Sequence, residues 1–154
     1  MKKIVVLFSL VLALVSCESD DIYSEHTVFS DLVWQKTNQP KFTFEITKEE
    51  NYEIDLEFRL IDGYPYQNIK INMLLSDENG NKVQQLINLE VQKEEGIYEG
   101  EVMGDFIDIE KTLIQDTTLS KGKYTIVLEQ MMEANALAFI NEVGIVVEEC
   151  SEEN

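Results

Sequence analysis

From Tyr52 to Leu60 every second residue is apolar: Tyr52, Ile54, Leu56, Phe58 and Leu60 alternate with Glu53, Asp55, Glu57 and Arg59. A helix would wind both sets around its axis, whereas a strand sends one set to each face. The segment is therefore a strand with one face on a core and the other in water. The same period of two runs through Phe42–Thr47, Ile69–Leu75, Tyr124–Leu128 and Val143–Val147, and more weakly through Val83–Val91 and Ile97–Val102. Asp77-Glu78-Asn79-Gly80 lies between two such runs, and Asn-Gly favours a tight hairpin because its central positions need positive φ. Lys121-Gly122-Lys123 marks a second turn. Half-buried strands separated by turns predict an all-β fold, a single antiparallel β-sandwich (jelly-roll-like) domain. Met131–Phe139 is the one helical candidate and reads equally well as an ordered loop.

The N-terminus has a different grammar. Met1-Lys2-Lys3 is followed by residues 4–15, all apolar or Ala except Ser9, and then by Ser16 and Cys17. A positive start, a short apolar core and a small residue before the cut form an export signal. The run falls short of the roughly 20 apolar residues that cross a bilayer. Leu14-Val15-Ser16-Cys17 resembles the bacterial lipobox, which implies cleavage before Cys17 and acylation of it. Two or more acyl chains anchor stably where one does not. The expected organisation is a removed signal peptide at 1–16, an acylated cysteine and acidic tether at 17–27, the sandwich at 28–149 and an acidic tail at 150–154. No cofactor is expected beyond the covalent diacylglycerol and acyl chain on Cys17. Glu18 rather than Asp follows the cysteine, so a common inner-membrane retention residue is missing and the outer membrane is the expected address. The acidic run Glu18-Ser19-Asp20-Asp21 also resembles a surface-export signal, which points to the outward-facing leaflet.

Charge excludes some partners. The chain carries 12 Lys and Arg against 30 Asp and Glu, a formal net charge of −18, and two of those lysines leave with the signal. Phosphate backbones are bound by clustered Lys and Arg, so nucleic acid is not expected as a partner. Acylation of Cys17 leaves Cys150 unpartnered among carboxylates, which raise a thiol's pKa and blunt its reactivity. His26, the only histidine, falls in the predicted tether, where a rigidly held base is not expected. Zinc lacks its usual His and Cys clusters. Asp77, Asn79 and Asn81 imitate the start of an EF-hand, but Gly80 sits at position four and Asn88 at position twelve, so the hairpin reading prevails. Asp105, Asp108 and Glu110 form a second acidic group that alternation on an exposed strand accounts for. No metal site and no catalytic residue is assigned.

Several blocks resemble the gliding-motility lipoprotein GldH family. They are Phe58-Arg59-Leu60 with Tyr64-Pro65-Tyr66-Gln67-Asn68-Ile69, then Tyr98-Glu99-Gly100, then Gly122-Lys123-Tyr124-Thr125-Ile126 with Leu128-Glu129-Gln130-Met131-Met132. Leu137 and Ile140-Asn141-Glu142-Val143-Gly144-Ile145 close the series. Trp34 matches a tryptophan before the family's first strand, and the blocks keep family order from about residue 23 to 148. Met132 and the neighbourhood of Val146 replace arginines of the family pattern, and Ala138-Phe139 replaces a Pro-Gly. The resemblance implies a non-enzymatic accessory component of gliding motility or type IX secretion machinery, meeting envelope proteins and carrying no catalytic residues. The competing expectation is a surface glycan- or ligand-binding lipoprotein with Trp34, Tyr64, Pro65 and Tyr66 as its surface platform. Set against it is a structural reading in which Pro65 fixes a turn and the rings seal a sandwich edge.

The lipobox reading predicts that Cys17→Ala moves the protein from the membrane pellet to the soluble fraction, measured by fractionation and detergent-phase partitioning.

Overall fold

A computed structural model describes residues 21–150; Cys17, the rest of residues 1–20 and residues 151–154 lie outside the described residues. Thirteen strands follow in order: β1 (Asp21–Val28), β2 (Val33–Gln35), β3 (Lys41–Ile46), β4 (Glu50–Ile61), β5 (Asn68–Asp77), β6 (Lys82–Glu90) and β7 (Gln92–Glu94). Then come β8 (Ile97–Tyr98), β9 (Glu101–Met103), β10 (Phe106–Leu119), β11 (Gly122–Gln130), β12 (Ala136–Ala138) and β13 (Ile140–Glu149). A five-stranded sheet ordered β1-β13-β4-β10-β9 faces a four-stranded sheet ordered β3-β11-β5-β6. Every pairing in the two sheets is antiparallel. The chain passes directly between the two sheets at β3 to β4, β4 to β5 and β10 to β11, and by way of the short β2, β7–β8 and β12 strands elsewhere. The expected all-β sandwich is the observed fold.

The alternating segments form the core as their period requires. Tyr52, Ile54, Leu56, Phe58 and Leu60 of β4 are buried together with Phe42, Phe44 and Ile46 of β3 and Ile69, Ile71 and Met73 of β5. Val143, Ile145 and Val147 of β13 join them in one cluster drawn from both sheets. Tyr23 of β1 lies 5.5 Å from Phe44, which stacks in turn on Tyr124 at 5.7 Å, so aromatic contacts close one edge of the sandwich. The Asp77–Gly80 hairpin forms where it was expected, but only Gly80 and not Asn79 takes positive φ, and the turn closes from the Gly80 N–H to the Asp77 carbonyl at 3.2 Å. Asp77 Oδ1 accepts from the backbone N–H groups of Asn79 and Asn81, and Gly80 takes φ 86°.

Two expectations change, and one reading left open between helix and loop is decided. Residues 21–27, read as tether, are most of β1, which pairs with β13 along the sheet edge. Its burial pattern is almost wholly exposed, so no hydrophobic alternation announced it. The longest strand, β10, was missed beyond its acidic start because its period breaks at two register shifts, between Thr112 and Ile114 and between Ile114 and Thr117. Residues 131–139 form no helix: bends lead into β12, where Leu137 pairs with Trp34 of β2.

Phe139 follows β12 at φ 68°, with its ring resting against Gly63. Left-handed backbone costs a residue with a Cβ about 1–2 kcal/mol. This is the place where the family pattern carries Pro-Gly, so the glycine there has a backbone reason.

Trp34 and Tyr64 are not surface residues. Trp34 is 0% exposed, stacks on Phe29 at 5.9 Å, meets Phe58 at 5.8 Å and donates its indole N–H to the Asn38 carbonyl at 2.8 Å. Tyr64 is buried at the sandwich edge, and Gln92 Nε2 donates to its carbonyl at 2.7 Å. Both rings fill space between the sheets, because apolar area this large is worth more in the core than in water. Removing such a ring leaves a cavity. Trp34→Ala is expected to cost about 3–5 kcal/mol in chemical denaturation, against under about 1.5 kcal/mol for a substitution that conserves volume.

Candidate functional site

The outer face of the five-stranded sheet collects the charged half of the alternation. Register sets four rows across β13, β4 and β10. Glu148 stands opposite Glu53; Val146, Asp55 and Thr112 form the second row; Gly144, Glu57 and Glu110 the third; Glu142, Arg59 and Asp108 the fourth. Strand β1 adds Asp21 beside Glu148 and His26 beside Gly144.

In the third and fourth rows three of the four acids have a partner: Arg59 meets Asp108 and Glu142, and His26 meets Glu57, while Glu110 has none among the described residues. Arg59 grips Asp108 with two hydrogen bonds, Nε to Oδ1 at 2.6 Å and Nη2 to Oδ2 at 2.9 Å, and reaches Glu142 at 3.3 Å. The hydrogen bond to Asp108 raises the guanidinium's pKa above its ordinary value, and the charges of Asp108, Glu142 and Glu57 act in the same direction. The guanidinium also lies 5.7 Å from the ring centre of Phe106. His26 reaches across Gly144 to Glu57, Nε2 to Oε2 at 2.6 Å. A Cβ on Gly144 would collide with the imidazole, so glycine is required for β1 to hand its histidine to β4. Gly100 is equally constrained: a Cβ there would strike the Asp108 backbone, so the segment after β8 crosses tightly over β10. The crossing walls a groove of about 640 Å³ whose lining includes His26, Glu57, Arg59, Glu101, Asp108 and Glu142. Carboxylates around one guanidinium and one imidazole suit the capture of a cationic side chain better than nucleophilic attack.

In the first two rows the charges are not matched. Carboxylate oxygens of Glu53, Asp55 and Glu148 all lie within 4.8 Å of one another. Like charges set directly opposite across a sheet repel. Glu148 shows the effect: its pKa is pushed up to about 7, first by a hydrogen bond shared with Asp21, then by burial, then by the charges of Asp21, Asp55 and Glu53. Burial first and then Asp55, Glu57 and Glu53 raise Glu110 in the same direction.

Beside the groove, Ile97, Val102, Met103 and Phe106 are between 41% and 58% exposed at the corner where β8, β9 and β10 meet. Met103 and Phe106 are register partners, with Ile61 next along the row.

The residues singled out from sequence are dispersed. Trp34 and Tyr64 are in the core, while Pro65 and Tyr66 stay at the surface, the Tyr66 ring edge-on to Tyr64 at 5.5 Å. They form no shared aromatic platform. Asp108, weighed above as an oxygen ligand, is occupied by Arg59. His26 is a strand residue rather than part of a tether. Cys150 is a free thiol whose pKa is raised chiefly by burial and then by Asp116 and Glu53. The groove itself was missed. Its signals were the polar half of the β4 alternation and the Gly100 and Gly144 positions, but which acids meet depends on register.

These features define a β-sandwich domain with a grooved, charged sheet face. Within that class the chain belongs to the GldH lipoprotein family, whose model matches residues 21–147, and it is a gliding-motility-associated lipoprotein. No curated protein matches the chain. Among solved structures it resembles a family GH115 4-O-methyl-α-glucuronidase with specificity for decorated arabinogalactans, at 13% identity and TM-score 0.48. That match covers 86% of this chain and 17% of the glucuronidase, so the chain spans under a fifth of that enzyme's length. A non-crystalline-cellulose-specific carbohydrate-binding module matches at 18% identity and TM-score 0.45, covering 82% of this chain and 70% of the module. A family 35 carbohydrate-binding module from Clostridium thermocellum matches at 11% identity and TM-score 0.34, covering 79% of this chain and 97% of the module.

The His26 handover predicts non-additivity. Gly144→Ala is expected to cost about 1–3 kcal/mol by overpacking. In the His26→Ala background the same substitution is expected to cost less, a coupling of about 0.5–3 kcal/mol in a double-mutant cycle.

Proposed function

We propose that the protein is a non-enzymatic outer-membrane lipoprotein, anchored through Cys17, that serves as an accessory component of gliding motility or type IX secretion machinery. It acts by binding an envelope protein. Family membership supports the setting. The observation that carries the mode of action is the apolar corner at Ile97, Val102, Met103 and Phe106 beside the acidic groove. Exposed apolar side chains grouped at a sheet edge and flanked by charge are the usual makings of a protein contact. The short β9 adds an open strand edge next to them, because β9 ends the five-stranded sheet. A partner presenting a basic side chain to the groove and an apolar one to the corner would match both.

The test is chemical cross-linking of intact cells carrying an affinity-tagged copy, followed by mass spectrometry. Motility or secretion-channel components are expected from the parent protein and are expected to be lost from a Met103→Glu, Phe106→Glu double variant that keeps its melting temperature. Recovery of only glycan-uptake proteins, or retention of the same partners by the double variant, would retire this reading.

A further inference from the structure

The two halves of the outer sheet face differ in one respect: His26 and Arg59 reach Glu57, Asp108 and Glu142 in the third and fourth rows, and among the described residues no basic side chain reaches Glu53, Asp55 or Glu148. Asp55 is the telling residue. It is 4% exposed, it lies between Val146 and Thr112 in the middle of the sheet, and its Oδ1 has no hydrogen-bond partner among the described residues. A buried carboxylate oxygen without a donor is costly, and native folds rarely leave one unanswered. Its carboxylate faces those of Glu53, two residues away on the same face of β4, and Glu148, the register partner of Glu53 on β13.

We propose that Glu53, Asp55 and Glu148 hold a divalent cation of calcium size on the outer face of the sheet. The chemistry of the donors selects the ion. Carboxylate oxygens are hard ligands, and the groups that would recruit zinc or copper, imidazole and thiolate, do not belong to the cluster. Size narrows the choice. Calcium bonds oxygen at about 2.3–2.6 Å, so ligands on opposite sides of it stand up to about 5 Å apart, whereas magnesium at about 2.0–2.1 Å draws them to about 4 Å. The three oxygens lie within 4.8 Å of one another, inside calcium's reach, and a site of three carboxylates suits calcium's flexible coordination better than magnesium, which usually takes one or two and demands near-ideal octahedral geometry. Glu53 and Glu148 are partly exposed, which leaves water access for the remaining positions of a six- to eight-coordinate ion, while Asp55 supplies the enclosed ligand from below. Two adjacent strands provide all three ligands, so the ion would staple β13 to β4. The crowding already described at Glu148 agrees with this arrangement, since a cation would relieve it.

The experiment is thermal unfolding of the full-length protein in detergent after chelator treatment, with calcium chloride, magnesium chloride or sodium chloride of matched ionic strength as the additive. Millimolar calcium is expected to raise the melting temperature by about 5–10 °C if the affinity lies in the range of extracellular calcium modules. Sodium chloride is expected to do far less. Asp55→Asn removes a ligand charge and is expected to abolish the calcium response while folding at least as well without the ion. Val146→Arg, which puts a guanidinium on the register partner of Asp55, is expected to abolish the response by answering the carboxylate internally. Glu95→Gln, on an exposed acid elsewhere, is expected to retain it. An absent calcium response, an equal response to sodium chloride, or an undiminished response in Asp55→Asn would overturn the proposal, and a larger response to magnesium would overturn the choice of ion.

Discussion

Strand β4 imposes a single constraint on the whole outer face. Burying Ile54, Leu56, Phe58 and Leu60 obliges Glu53, Asp55, Glu57 and Arg59 to line up on the opposite side, because a strand has no third direction. Each buried aliphatic side chain contributes about 1.5–3 kcal/mol of transfer free energy, far more than a like-charge pair on a partly solvated face takes away. The core therefore wins, and the acids must be managed where they fall. Since β4 pairs with β13 on one side and β10 on the other, the management is done by those two strands.

They manage it in two ways. On β10 and β13, Asp108 and Glu142 converge on Arg59, turning what would be repulsion into a bidentate ion pair with a second acid in reach. At the next row the sheet uses absence: Gly144 offers no side chain, and His26 crosses the gap to Glu57. The remaining rows have neither device. Val146, in the neighbourhood where the family pattern carries an arginine, is the register partner of Asp55, the acid whose Oδ1 lacks a donor among the described residues. The substitution that removed a basic group from the resemblance thus coincides with the unmatched half of the face.

The other departures from the family pattern have local answers. Phe139 takes the left-handed backbone that a glycine would accept without strain and covers Gly63 with its ring. Met132 packs against the core, where its carbonyl accepts from Lys36 Nζ at 2.6 Å, so the position holds apolar volume instead of the arginine's charge. Tyr98, in the Tyr98-Glu99-Gly100 block, hydrogen-bonds to Asp62 and to the Gly63 backbone, which ties β8 to the β4–β5 loop. The framework is kept and the surface chemistry is rewritten.

Read alone, the sequence determined which side chains are alternately inside and outside, the Asp77–Gly80 hairpin, the all-β class and the family, since these rest on neighbours a few residues apart. It misjudged β1, whose exposed edge has no alternation to detect, and most of β10, whose register shifts break the period. It left Trp34 and Tyr64 between a surface platform and a packing role, because an aromatic beside a turn looks the same in either place, and the structure puts both in the core. Only the tertiary structure decided which acids meet. Glu53 and Glu148 are far apart in the chain, and a slip of one residue between β4 and β13 would have sent one of the two sets to the other face. The groove, the His26–Glu57 pair and the Glu53–Asp55–Glu148 cluster are products of that register, which the packing of both sheets sets together and no local segment encodes.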